Sequence, residues 1–340
     1  MKAHRPTPTL HDVAKAAGVS TATVSRCLNF PDQVAVRTRE RVMNTVRDMG
    51  YSPNFGARAM AARRTNTIGA IIPTMENAIF ARGLQAFQEE LRLHGFTMLV
   101  ASTSYRPDIE AEQIRTLVAR GADALLLIGH ERDPEIYRFL EAQGVPWLVT
   151  WAFDLDAGCP SVGFDNRAAM YAMAQKVIAL GHRRLALISA ETAMNDRARA
   201  RKIGILEAMD EAGIDRDELH VIETPYGIEN GAAAFTDLMR QAPRPTAVFC
   251  GNDVLAVGAL RQAQALHIAV PADLSIMGFD DIELARVAFP ALTTVHVPHR
   301  EMGRRAAQAL VRMVQGGITE APVELAATLV FRDTLAQAPA

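Results

Sequence analysis

From Thr67 onward this 340-residue chain alternates short apolar runs with amphipathic stretches of helical length, and that alternation leaves few folds open to it. IGAIIP at 68–73, FTMLVAS at 96–102, ALLLIG at 124–129 and PWLVTW at 146–151 have the length and aliphatic content of buried parallel strands. The stretches between them, 78–94, 108–120 and 134–143, are each long enough to be the crossover helix that parallel pairing requires. A second series follows, with strands at 184–189, 219–223, 246–250 and 274–278 and helices near 166–181, 197–213, 229–241 and 253–266. The expected body is two doubly wound α/β lobes with parallel sheets.

The first 65 residues follow a different pattern. Thr9 to Asn29 reads TLHDVAKAAGVSTATVSRCLN, two short amphipathic helices around Ala17-Gly18-Val19. Thr9 is an N-cap with Asp12 three positions on, and Leu10, Val13, Ala14 and Ala17 recur at helical spacing before Gly18 ends the helix. Ser20 caps a second helix whose Val24, Cys27 and Leu28 point inward, leaving Thr21, Ala22, Ser25 and Arg26 outward. That is the order of an all-α helix-turn-helix head with its recognition helix second. A third helix from Val36 repeats apolar residues at Val42, Val46 and Met49 and stops at Gly50. The segment 52–65 is Pro-started and Ala-rich, too short to be a stable helix alone, and Gly56 weakens it by a further ~1 kcal/mol relative to Ala.

Charge separates the same two parts. Residues 1–64 hold eleven Lys and Arg against four Asp and Glu, and the rest of the chain holds twenty-five against thirty-four. A head of charge +7 on a body of charge −9 suits displacement of counterions from DNA phosphates by the head, while the acidic body discourages DNA from binding elsewhere. Cysteine occurs only at 27, 159 and 250, with no metal-like or redox-like spacing, so neither zinc nor structural disulfides are expected and no cofactor is implied. MKAHRPTPTL has no apolar core of signal-peptide length and no run of about 18 apolar residues follows, which predicts a soluble cytoplasmic protein. A nucleotide-using enzyme is disfavoured: no GxGxxG follows a strand, and neither GxxxxGK[ST] nor a Gly-x-Ser-x-Gly elbow occurs. The lobes alone would also suit an exported sugar-binding protein, which the basic head and missing signal disfavour.

LHDVAKAAGVSTATVSRCLN, then VAVRTRERVMNTVRDMGYSPN in the head, and LGHRRLALIS, FCGNDVLAVGAL, VPADLSIMGFDD and PALTTVHVP in the body, resemble the lac repressor family of bacterial transcription regulators over essentially the whole chain. NFPDQV, VGFDN and RPDIEAEQ are similar to the branch that regulates gluconate and related sugar acids. The resemblance implies a head at 1–51, a hinge helix at 52–65, and a periplasmic-binding-protein-like body at 66–340. Lobe 1 would span about 66–162 and 293–318 and lobe 2 about 163–292 and 319–334, with crossovers near 161–164, 292–294 and 317–323. It also implies a homodimer on a near-palindromic operator. With no heptad tail before Ala340, a tetramer held by such a tail is not expected.

Residue by residue, the resemblance assigns Thr21, Ala22 and Arg26 to base reading, with the Arg26 fork suited to guanine O6 and N7. Ser20, Thr23, Ser25, Asn29 and Asn54 would hold phosphates. Ala57 packs the hinge and Met60 stands where the family has a leucine that wedges into the minor groove, while Gly56 departs from the family pattern. For a small sugar or sugar-acid effector, which the family contacts from loops after strand C-termini, it assigns Asn77, Phe80, Trp151, Arg201, Asn252 and Asp280. The arginines of RARAR favour an anionic ligand. Other readings stay open from the sequence: Trp151 in the core, Asp280 or Asp281 capping the next helix, Arg197 and Arg199 as solvated charges, and His182 satisfying local backbone groups.

Overall fold

A computed structural model describes residues 8–52, 64–76, 78–317 and 321–339, without the side chain of Asn29. The chain divides into two compact units, residues 1–65 and 66–340.

The described residues of the first unit form the α-helices α1 (Leu10–Ala17), α2 (Thr21–Asn29) and α3 (Val36–Met49). Thr9 and Asp12 form the reciprocal cap read from the sequence: the Asp12 amide donates to Thr9 Oγ1 at 3.3 Å and the Thr9 amide to Asp12 Oδ2 at 2.9 Å. Gly18 adopts φ 64°, a left-handed conformation that reverses the chain without a Cβ clash. Val13, Ala14, Ala17, Val24, Cys27, Val42 and Val46 form the core, and Leu10, Val19, Leu28, Val34, Met49 and Tyr51 close its rim.

In the second unit β1 (Thr67–Ile72), β2 (Thr97–Ser102), β3 (Ala124–Ile128), β4 (Trp147–Thr150), β5 (Ser161–Gly163) and the later β11 (Val323–Glu324) make a parallel sheet in the order β11-β5-β4-β3-β1-β2. The helices α4 (Ala81–Leu93), α5 (Pro107–Ala119) and α6 (Pro134–Gln143) are its crossovers. A second parallel sheet, β7-β6-β8-β9, takes β6 (Leu185–Ser189), β7 (His220–Glu223), β8 (Ala247–Cys250) and β9 (Ser275–Met277). Its helices are α7 (Asn166–Ala179), α8 (Asp196–Glu211), α9 (Ile228–Arg240), α10 (Asp253–Ala265) and the short α11 (Glu283–Val287). An antiparallel pair, β10 (Thr294–His296) with β12 (Thr328–Val330), lies beside the second sheet, bridged to it at Met277–Thr293 and Asp280–His296. The helix α12 (His299–Val314) returns to the first lobe and packs on α4.

All the strands read from the sequence exist, with two differences of detail. β2 is an edge strand, so Thr97 and Leu99 are exposed where a buried strand was expected; Leu99 is 38% exposed. The apolar composition of FTMLVAS does not distinguish a one-sided edge from a central strand. The three passages between lobes fall at 164–165, 297–298 and 325–327. The second and third are later than expected, because β10 bridges to lobe 2 before the chain leaves it and β11 extends lobe 1.

The C-terminal segment is tied into lobe 2 by a buried polar cluster around His182. Its Nε2–H donates to the Ala336 carbonyl at 3.1 Å and its Nδ1 meets the Thr246 hydroxyl at 3.0 Å, so the ring serves local backbone and side-chain groups. Burial lowers its pKa below the usual histidine value. The unfolded chain therefore takes up the proton first as pH falls through about 6.5, and stability declines below that pH. His182→Ala leaves a buried carbonyl without its donor and should cost about 1–3 kcal/mol at pH 8. A urea titration should show a lowered midpoint with unchanged slope, and the gap from the parent should narrow as pH falls below 6.5.

Candidate DNA-binding face and ligand cavity

On α2 the cap sets which side chains look outward. Ser20 Oγ accepts from the Thr23 amide at 3.1 Å and lies 2.9 Å from the Thr23 hydroxyl, so both hydroxyls are engaged at the helix start. Val24 and Cys27 are buried, which turns Thr21, Ala22 and Arg26 to solvent and leaves Thr23 and Ser25 half-buried. Ala22 and Arg26, four residues apart, share one face. Among the described residues no ion pair involves Arg26, whereas Arg39 pairs with Asp32 at 3.6 Å. Of the expected base-reading residues, Ala22 and Arg26 are thus brought together on one exposed face, and Thr21 is exposed at the helix start. Asn29 ends α2; its side chain, together with Asn54, Gly56, Ala57 and Met60, lies outside the described residues.

Between the two lobes of the body lies a narrow cavity, with about 330 Å³ of empty space when its opening to solvent is included. Parallel topology builds it, since every strand delivers its C-terminus, and every following helix its N-terminus, to the same edge of the sheet. Phe80 precedes α4, Asn166 opens α7, Asn195 caps α8 and Asn252 caps α10, and all four line the cavity. Five expected ligand residues are there: Phe80, Trp151, Arg201, Asn252 and Asp280. The sixth, Asn77, lies outside the described residues. Ile79, Tyr105, Phe164, Asn166, Asn195, Arg197 and Tyr226 complete the lining; of these the sequence points to a ligand role only for Arg197, through RARAR. Asn166, in the GFDN segment after β5, and Asn195, a cap residue before DRARAR, carried a local signal. Tyr105 and Tyr226 follow the edge strands β2 and β7 in loops without a motif; their rings meet across the cleft at 5.7 Å.

Several of the buried polar atoms lack a partner among the described residues. Asn252 Oδ1 accepts from the Leu255 amide at 2.9 Å, leaving its Nδ2 unbonded. Asn166 Nδ2 donates to the Trp151 carbonyl at 2.9 Å, leaving its Oδ1 unbonded. The indole Nε1 of Trp151 and Nε of Arg201 are also buried and unbonded. Such groups cost about 1–3 kcal/mol each when nothing satisfies them, so their gathering at one cavity points to a ligand with both donors and acceptors. Arg201 is 7% exposed, donates from Nη2 to the Tyr226 hydroxyl at 3.1 Å and lies 4.6 Å over the Phe279 ring. Burial pushes the Asp280 carboxyl up to about 6, against the opposing pull of Arg201 and Arg197. Burial likewise raises the Tyr105 hydroxyl and holds His299 down at about 4. His299 donates from Nε2 to the Asp280 carbonyl at 3.1 Å. Trp151, Asp280 and Asp281 all have positive φ, of 61°, 103° and 52°, strain of the kind that gathers at ligand sites.

Trp151 is both buried and cavity-lining. Neither Asp280 nor Asp281 caps α11, whose N-cap is Ile282 without a side-chain bond. Asp281 instead accepts from Arg332 at 2.5 Å and His296 at 3.0 Å. Arg197 is no solvated charge: its side chain is 11% exposed, pairs with Asp196 at 2.9 Å and lines the cavity. Arg199 lies outside, pairing with Glu131 across the cleft. Further contacts hold the lobes together, with the His130 amide donating to Asp196 at 2.6 Å and Arg82 to Glu283 at 2.7 Å. Asn166 and Arg197 line both the cavity and the wider cleft outside it, which marks the entrance.

A capped helix-turn-helix head and a two-lobed body with a ligand cavity at strand C-termini define a class, the DNA-binding regulators built on a periplasmic-binding-protein-like domain. Residues 9–54 match the family described as bacterial regulatory proteins, lacI family, and residues 174–335 match the periplasmic binding protein-like domain. The chain is 32% identical to the HTH-type transcriptional regulator GntR of Pseudomonas aeruginosa over 96% of its own length and 95% of that protein. It is 33% identical to the HTH-type transcriptional repressor PurR of Proteus mirabilis over 97% of its length and 98% of the relative. A structure of the lac repressor dimer bound to operator and the anti-inducer ONPF superposes with a TM-score of 0.84 at 25% identity, covering 96% of this chain and 99% of that one. The chain belongs to the lacI family; it is a DNA-binding transcriptional regulator and not an enzyme.

Arg201→Met should separate ligand binding from folding. Removing the guanidinium takes from the buried Asp280 carboxyl the stronger of the two positive charges that oppose its burial, which destabilises the fold while that carboxyl is ionised, so the comparison is made at pH 5, below the Asp280 value of about 6. At that pH the unliganded melting temperature should change little, while the increase produced by a bound ligand should disappear.

Proposed function

We propose that this regulator is a homodimeric, cytoplasmic repressor whose affinity for a near-palindromic operator is set by a sugar acid bound between its lobes. The organisation that serves this is a head at 1–51, a hinge at 52–65 and the two-lobed body. Thr21, Ala22 and Arg26 read base edges, and Ser20, Thr23, Ser25, Asn29 and Asn54 hold phosphates. The hinge folds at the operator centre with Ala57 packing and Met60 as wedge. Ligand in the cavity changes the relation of the first lobes across the dimer and so orders or releases both hinges. The observation that carries the effector reading is the cavity's own bonding: unbonded donors on Trp151, Arg201 and Asn252 gather around the Arg201 guanidinium, while the neighbouring Arg197 is matched by Asp196. The helix N-termini at Asn166, Asn195 and Asn252 add partial positive charge to the same place. A guanidinium and several donors suit a carboxylate, and Asn166 Oδ1 and Asp280 suit hydroxyls.

Binding assays at fixed salt check the DNA half. Arg26→Ala removes a bidentate contact of about 1–3 kcal/mol, so specific operator affinity should fall roughly 5- to 150-fold while affinity for random duplex changes little. Met60→Ala should show the same asymmetry, and equal loss on both duplexes would sink the wedge assignment.

Proton linkage checks the ligand half. Asp280 is faced by Arg201, Arg197, Tyr105 and Asp253, with His299 on its carbonyl. An anionic ligand disfavours ionised Asp280, so D-gluconate should bind more tightly as pH falls from 7 to 5, through the Asp280 value of about 6. A neutral aldose donating to the carboxylate should weaken over the same window. Calorimetric titration of both sugars gives the two slopes, and a flat or falling gluconate affinity argues against the acid.

A further inference from the structure

Trp151 is held on every side except the cavity. Its amide lies 3.3 Å from Met302 Sδ on α12, its carbonyl accepts from Asn166, and its indole meets Phe80 edge-on at 5.2 Å and His299 at 6.0 Å. Behind the ring lies Gly83, the third residue of α4. A Cβ built there would fall 2.5 Å from Cη2 and 2.8 Å from Cζ2 of the indole, and 3.3 Å from the His299 carbonyl. These separations are well inside van der Waals contact, so the indole edge occupies the place where any other residue at position 83 would put its side chain. Glycine is a poor helix former, and here it sits within the first turn of a 13-residue helix. The same glycine's carbonyl presses on α12, where a Cβ on Gly303 would come within 2.0 Å of it, so α4 cannot back away from the indole without parting from α12.

We propose that Gly83 is a specificity-determining residue of the effector site: by giving the indole of Trp151 a slot against the α4 backbone, it sets the depth of the cavity and hence the length of ligand accepted. Gly83 does not touch ligand; it acts through Trp151. A methyl group at this position drives the ring toward the one open side, the cavity. A ring pushed into the cavity shortens it at that end, which excludes the terminal carbon of the longest polyhydroxy acid it otherwise accepts. The inference rests on the reading of the cavity as the effector site.

The test is a double-mutant cycle on the full-length protein, with aldonates of four to seven carbons as probes and with melting temperature and calorimetric affinity as readouts. Gly83→Ala should lower affinity for the acid the parent binds best by at least tenfold and move the optimum to a shorter acid. Trp151→Phe should weaken binding, because the indole donor is lost, and Gly83→Ala added to it should cost little more, because the ring edge that collides is gone. If Gly83→Ala fails to fold but the double variant folds, the collision with the indole is established and the proposal stands. If both fail to fold, Gly83 serves only the packing of α4 on α12 and the proposal falls. It falls equally if Gly83→Ala keeps the parent's order of acids, or if the two losses multiply independently. Trp151→Phe binding as the parent does, or a parent that binds no acid of the series, overturns the cavity reading and this inference with it.

Discussion

The constraint on which the body depends is the parallel pairing of its strands. A parallel strand must be reached by a crossover, and each crossover returns its helix N-terminus to the edge of the sheet where the strand before it ended. Two such sheets joined by three passages bring those edges face to face. The cavity is then lined by helix caps and strand-end loops, and the unbonded atoms of Asn166, Asn252, Trp151 and Arg201 follow from that geometry. An asparagine that caps a helix spends its oxygen on the backbone and has its amide nitrogen left over. Asn252 does this at the start of α10.

What the sequence disclosed was whatever repeats or caps locally. The alternation of apolar runs and amphipathic stretches placed the strands and crossovers, and the Thr9–Asp12 box and Gly18 placed the head. Arg26 came to the surface because Val24 and Cys27 faced inward at helical spacing. What was not legible depends on contacts between distant segments. Nothing in FTMLVAS shows that β2 is an edge, and nothing near 294–296 shows that this strand bridges to β9's lobe before the chain leaves it. Arg197 and Arg199 look alike in the sequence, yet the first lines the cavity and the second reaches Glu131 across the cleft. Arg199 is drawn to Glu131 of the opposite lobe, whereas Arg197 and Arg201 find Asp196, Tyr226 and Phe279 in their own, a division that a local pattern does not encode.

Trp151 joins several of these levels. It directly follows β4 of lobe 1, accepts a hydrogen bond from the first residue of a lobe 2 helix, and leans on His299, the first residue after the second passage between lobes. His299 in turn holds the backbone of Asp280, whose carboxyl faces the arginines. Ligand contact at Trp151 or Asp280 therefore bears on the residues through which the chain passes from lobe to lobe. The lobes are already drawn together by Asp196 with His130, Arg199 with Glu131 and Arg82 with Glu283. A ligand that satisfies the unbonded cavity atoms favours whichever lobe arrangement keeps them converged.

The central claim is that the cavity and the DNA-binding head share one equilibrium, and reciprocal linkage tests it most directly. The affinity of a duplex selected by the protein from a random pool is measured at one salt concentration, with and without saturating ligand. The affinity of the ligand is then measured with and without that duplex. The account predicts that both affinities change by the same factor, of roughly 5- to 150-fold, as coupling of about 1–3 kcal/mol requires. A ligand that binds the cavity and leaves duplex affinity unchanged would contradict it.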